Sequence, residues 1–392
     1  MPLTVFSSGM NKFCRDYLVA NPAFTPDGNQ FARALFSEQT QIFEQLMLFD
    51  KINLKVFGEN ILVPVLINTF GLEGFEALIE QDAVSFTLWT PLVTFMTTEI
   101  PGLIPLQSGN LSTPAHCNPE QSIELGYQWM PKQLPRRVRR GLTKKLMKIY
   151  EMPPPELAAA AVSRALSAHK SGKLGKIGFK PQMPVEELGV TDRRLLCEYA
   201  TQTLEYTYML QRDMTSFSNY SYFGLLRDTA TKVDLGTALT GNFSKLAILE
   251  GFPDFKALLA QIENPFGKLP ELRARARAVK FRKWLASMSC PGNTTPISKA
   301  YIDAVADAQG FFETKKGRFV KSVALTSIGM AVGGAAGGVA GAMGGAAIAK
   351  FLEPAADFSL DLIDEFALNG LTKGWTPKMF FDDLAALRSK GP

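Results

Sequence analysis

Histidine and cysteine are scarce. Of 392 residues, two are histidine (His116, His169) and four are cysteine (Cys14, Cys117, Cys197, Cys290). Two histidines exclude a multi-histidine metal centre. No CxxC pair occurs, which excludes zinc-ribbon spacing, and the wide separations argue against a disulfide scaffold. GxSxG, HExxH and GxxxxGK[ST] are also missing, so nucleophile-elbow, zincin and P-loop chemistry have no anchor. The start MPLTVFSSGMNKFCRDY carries no basic region followed by an apolar one. The expectation is a cytoplasmic chain in a reducing compartment. The sequons beginning at Asn110, Asn219, Asn242 and Asn293 then read as incidental.

What is present is globular: 46% apolar and 20% charged residues, with 28 phenylalanines as core material. The net charge of +5 is unevenly spread. Residues 132–180 hold thirteen Lys or Arg and two acids, giving +11, so the rest of the chain is −6. Such asymmetry points to an anionic partner.

Along the chain, 31–48 has helical apolar spacing, and Lys51–Val56 alternates polar and apolar like a half-buried strand. Residues 60–81 are helical with a break near Gly71, and 83–89 read as a second strand. The run 100–119 reads as loop, and a helix is predicted over 156–169. Residues 191–212, 254–263, 270–288 and 297–320 have a period near 3.6, with no strong strand pattern after 185. The expected class is mainly α (α+β): an N-terminal mixed α/β unit, then a helical bundle with a glycine-zipper helix. Proline and glycine punctuation divides it into 1–130, a sensing or docking unit; 131–185, a basic helix and Gly/Lys loop; 186–310, helical; and 311–392, zipper and acidic helices.

The zipper is Ser322–Ala349, 28 uncharged residues with nine alanines and eight glycines. Gly329, Gly333, Gly337, Gly341 and Gly345 fall at period four, a stripe that lets another helix backbone approach closely. As a helix it extends about 42 Å, enough for one tilted crossing of a hydrocarbon core about 30 Å thick. Each interior glycine costs roughly 0.5–1 kcal/mol relative to alanine, so a bilayer or a tightly packed partner must compensate. Glu353, Asp357, Asp361 and Asp364 follow as an acidic stripe beside Phe358, Leu362 and Phe366.

The basic segment centres on an amphipathic helix. Val138, Leu142, Leu146 and Ile149 form its apolar stripe. Arg136, Arg137, Arg139, Arg140, Lys144, Lys145 and Lys148 supply the charge, a pattern suited to an anionic lipid surface. Nucleic acid is the weaker match, because Tyr150 alone is aromatic there. His169, ending an alanine-rich helix beside Lys170, reads as a C-terminal helix cation. No carboxylate pair stands out, so no catalytic residue, metal site or cofactor is assigned. An enzyme is disfavoured, and His116-Cys117 is the one thiol arrangement worth a structural look.

The combined expectation is a membrane-associating effector of toxin or immune type. The basic segment docks on anionic lipid at the inner face of a membrane. The zipper then inserts and self-associates, permeabilising the bilayer, while the N-terminal unit receives a protein partner. The alternative is a soluble scaffold with the zipper buried in its core and the basic patch on an acidic protein or nucleic acid.

Overall fold

The computed structural model describes residues 3–19, 28–96, 100, 103–177, 179, 183–216, 231–249, 259, 262, 264–289, 297, 299–300 and 377–386. The zipper 322–349 and the acidic stripe Glu353, Asp357, Asp361 and Asp364 lie outside the described residues. The chain divides into two units, residues 1–236 with 266–270, and 237–265 with 271–392.

The first unit is built on a parallel sheet. Its strands are β1 (Thr4–Ser7), β2 (Lys51–Val56), β3 (Val84–Leu88), β6 (Tyr150–Glu151) and β7 (Met214–Ser216), in the order β6-β3-β2-β1-β7. β4 (Pro91–Phe95) and β5 (Leu106–Asn110) form a separate antiparallel hairpin. The chain steps from β1 through β2 and β3 to β6 in one direction, then returns to lay β7 beside β1. Parallel neighbours need long crossovers. They are α1 (Gly9–Phe13) with its π-helical extension Cys14–Leu18, then α2 (Gly28–Leu48), α3 (Leu62–Glu80), α4 (Pro114–Cys117), α5 (Pro119–Gly126) and α6 (Arg136–Met147). The return leg carries α7 (Leu157–Lys170) and α8 (Val190–Gln211), which pack together and hold the hairpin. The chain is mainly helical with a parallel sheet near its N-terminus, which is the expected class.

Local signals placed most elements. The break near Gly71 is real: its φ is +74°, inside α3. Two readings need correction. Residues 100–119 contain β5 and α4, and β7 lies beyond 185. β7 has only three residues, too few for a period to register.

The alternation in β2 also has another cause. Asn53 is fully buried, and Lys55 is held by Glu205 of α8 under the Trp89 ring. Both faces of a parallel sheet are covered, so the polar positions join a network. Asn53 Nδ2 donates to Ser85 Oγ at 3.0 Å, and Thr87 Oγ1 donates to Asn53 Oδ1 at 2.7 Å. Thr87 Oγ1 also lies 2.9 Å from the Tyr208 hydroxyl of α8. Buried polar groups are tolerated only when satisfied in this way.

In the second unit, the described helices include α9 (Thr231–Leu249), most of which lies in this unit, α11 (Ala276–Met288) and α12 (Lys378–Ala385). α10 (Pro265–Ala274) straddles the division between units. Phe281 stacks on Phe380 at 4.0 Å, and Phe243 stacks on Phe381 at 5.8 Å. Arg277 pairs with Asp383 at 2.8 Å beside this aromatic core.

Candidate functional site: the basic face of α6

α6 begins after Pro135 without a side-chain cap, and no acid lies in its first turn. Arg136 and Arg137 therefore sit where the helix dipole disfavours cations and where backbone N–H groups lack partners. An anion at this end relieves both costs. The helix is anchored through buried Leu142, Thr143 and Leu146, which pack toward α3 and α5.

The seven predicted cations divide into two groups. Arg139 pairs with Glu124 of α5 at 3.4 Å, and Lys145 pairs with Glu76 and Glu80 of α3 at 3.4 and 2.8 Å. These two fasten the helix to the fold. Arg136, Arg137, Arg140, Lys144 and Lys148 are exposed and make no ion pair among the described residues. Arg136, Arg140, Lys144 and Lys148 repeat every four residues, so they line one face for about 18 Å. Met147 and the preceding Trp129 are each 40% exposed. A displayed cationic row on a helix held from its other side is suited to meeting an anionic surface electrostatically.

Among the described residues, α3 alone is long and apolar enough to cross a membrane by length and composition. Leu62, Val63, Leu66, Phe70, Phe75, Leu78 and Ile79 are nevertheless buried in the fold, and two of its carboxylates hold Lys145. α3 is the crossover helix between β2 and β3.

A second polar cluster gathers beyond the carboxyl ends of β1 and β2. Arg15 donates to Glu59 Oε2 at 3.0 Å and to the Phe57 carbonyl. The His116 ring packs edge-on against Phe57 at 4.8 Å, and its Nδ1 is hydrogen-bonded to Thr113 Oγ1 at 2.7 Å. Gly58, with φ +76°, leaves room for that ring, because a Cβ would lie 3.0 Å from Nε2. His116 was visible in the sequence; Arg15 and Glu59 were not, being 44 residues apart and joined only through strand topology.

Burial resists ionisation of Glu59, but its own backbone N–H and the Arg15 guanidinium outweigh burial and hold the carboxyl below its ordinary 4.5. Burial lowers His116 below its ordinary 6.5; the Glu59 charge opposes this and the Arg15 charge adds to it. Both groups bind protons less readily when folded than when unfolded. Their contributions are therefore complete above the unfolded values, near pH 6.5 for His116 and 4.5 for Glu59, and fade as pH falls through the folded ones. We expect denaturation midpoints to fall from pH 7 to pH 5, and less so in His116→Asn. An equal fall in both chains contradicts the assignment to His116.

The thiol arrangement does not form. Adjacent residues on a helix do not face each other, and the Cys117 thiol donates to the Ser112 carbonyl at 3.4 Å. Burial pushes the Cys14 thiol up to about 12 and also raises Cys197. His169 is buried in the last turn of α7 against Phe179, with Nε2 hydrogen-bonded to the Met183 carbonyl at 3.0 Å, so it also clamps that loop. Among the described residues, no group of three or more His, Cys, Asp and Glu assembles to hold a metal.

No family model matches the chain, and neither the curated proteins nor the solved structures contain a match to it.

Proposed function

We propose that this protein docks on an anionic membrane surface through the exposed face of α6 and then commits the segment 322–349 to the bilayer. The observation that carries the docking step is the row Arg136, Arg140, Lys144 and Lys148, free of ion pairs among the described residues on a helix secured from beneath. The insertion step rests on the period-four glycines 329–345. In this reading the protein is an effector acting from the cytoplasmic side, and self-association of the zipper permeabilises the membrane.

The test is flotation and dye release with the full chain. Anionic vesicles should recruit it and leak, while neutral vesicles should not. Gly337→Leu/Gly341→Leu should still bind but release far less dye. Binding without leakage from the unmodified chain removes the insertion step. Capture by duplex nucleic acid in preference to vesicles moves the basic face to the other class of polyanion.

A further inference from the structure

α4 is one helical turn between β5 and α5 that lays a ring on the loop after β2. Ser112, Thr113, Pro114, Cys117 and Asn118 are exposed and Ala115 is buried, while the His116 ring stands edge-on against Phe57. The backbone bonds of this turn are its own. The amides of His116 and Cys117 donate to the Thr113 carbonyl at 2.8 and 3.1 Å, and that of Asn118 to the Pro114 carbonyl at 3.0 Å. Fixed points lie on either side: Leu111 N–H donates to the Thr90 carbonyl at 2.8 Å, and Asn118 Oδ1 caps α5 by accepting from the Glu120 and Gln121 amides. The loop beneath is held by other elements. Phe57 N–H donates to Asn11 Oδ1 at 3.3 Å, Arg15 donates to the Phe57 carbonyl, and Ser122 Oγ donates to the Gly58 carbonyl at 2.6 Å.

Among the described residues, the charges acting on the ring are those of Glu59 and Arg15. Arg15 comes from the π-helical extension of α1. Its Nη2 and His116 Nε2 lie 3.2 and 3.0 Å from the point that a Gly58 Cβ would occupy. Glu59 comes from the loop after β2 and is already paired with Arg15 at 3.0 Å. The neutral neighbours are Ser122 of α5, which bonds the Gly58 carbonyl, and Thr113, which bonds Nδ1 at 2.7 Å; the Cys117 thiol turns to the Ser112 carbonyl. A proton on His116 therefore adds a second cation beside Arg15, where the one carboxylate is already shared. Burial holds the ring below its ordinary 6.5, the Glu59 charge opposes this and the Arg15 charge adds to it. Once released, the ring takes up protons at its ordinary value, so release is favoured as pH falls through 6.5.

We infer that α4 is an acid-released strap: protonation of His116 beside Arg15 lifts residues 112–118 from Phe57 and Gly58 while the parallel sheet stays folded. This goes beyond the docking reading and does not depend on it. The opening is local because a turn with one buried residue gives up little on leaving, whereas the strands would have to expose the core. Release uncovers Phe57 beside the Arg15–Glu59 pair, at the end where open parallel sheets receive ligands.

The test is amide hydrogen exchange of the full chain between pH 7 and pH 5, corrected for intrinsic rates, with the His116 ring followed by NMR over the same range. The chain has two histidines, so loss of one ring signal in His116→Gln or in His169→Gln assigns both. The amides of His116, Cys117 and Asn118 should exchange about threefold or more faster at pH 5, while β2 and β3 keep their protection. The midpoint of that change should match the ring titration. His116→Gln, with a thermal melt at pH 7 confirming folding, should lose the pH dependence. Unchanged exchange while His116 titrates overturns the inference. So does an equal acid response in His116→Gln, or deprotection of β2 and β3 together with the turn, which is unfolding of the whole unit. Should His116→Gln not fold, the two wild-type midpoints decide: agreement supports the strap and disagreement overturns it.

Discussion

Gly126→Ala is expected to destabilise the first unit by about 3 kcal/mol, the upper part of the usual overpacking range. Gly141→Ala, only fifteen residues on, is expected to stabilise it by about 0.5–1 kcal/mol. Both glycines are helical, and helix propensity alone favours alanine at each. The difference lies in what surrounds them. A Cβ on Gly126 would sit 2.2 Å from the Asn60 carbonyl oxygen and 2.7 Å from its carbon, whereas a Cβ on Gly141 meets nothing within 4 Å. The obstacle at Gly126 is backbone, which cannot swing aside like a side-chain tip.

That backbone is also pinned. Asn60 N–H donates to the Ser122 carbonyl at 2.9 Å, and Ser122 Oγ donates to the Gly58 carbonyl at 2.6 Å. Ser122 and Gly126, four apart on α5, form the small-residue face on which the loop after β2 lies. Urea denaturation of both variants measures the pair. Equal midpoints would mean that the loop yields freely and that the close approach carries no energetic weight.

The other large effect concerns vesicle affinity. Each cation near an anionic surface contributes about 1 kcal/mol. Removing three, in Arg136→Ala/Arg140→Ala/Lys144→Ala, should lower partitioning by about two orders of magnitude at low salt. The wild type should approach the variant as salt rises, because the screening length falls from about 10 Å at 0.1 M to 3 Å at 1 M. The informative control is Arg139→Ala/Lys145→Ala. It removes two positive charges from the same helix, but those charges already face Glu124, Glu76 and Glu80. Its partitioning should fall by much less, with a small stability loss typical of partly exposed pairs. Equal losses in both variants would mean that net charge, not the displayed face, governs binding. A triple variant within about threefold of wild type would remove α6 from the docking step altogether.

The separation of Arg139 and Lys145 from the other five cations was not legible in the sequence. Periodicity placed all seven on one amphipathic helix with Leu142 and Leu146 inward, because helical spacing is a local property. Pairing with Glu124, Glu76 and Glu80 depends on how α5 and α3 lie against α6, and the α3 partners lie 65 or more residues away. The Asn53–Thr87–Tyr208 network is a similar case. β2 alternates as a solvent-facing strand does, and only the position of α8 over that face shows that Asn53 is buried in a network and that Lys55 is held by Glu205.

Elements whose causes lie within a few residues were readable directly: the α2, α3 and α8 helices, the β2 and β3 strands, the break at Gly71, and the basic amphipathic character of α6. The period-four glycines from Gly329 to Gly345 are likewise a property of sequence alone. Tertiary structure decided the rest. The parallel order β6-β3-β2-β1-β7 brings the crossover segments carrying Arg15, Glu59 and His116 together, and α7 and α8 pack on the hairpin. Propensity and periodicity act over one or two helical turns. Strand order and long-range packing sum weak contacts across the whole unit, and no short window of sequence contains them.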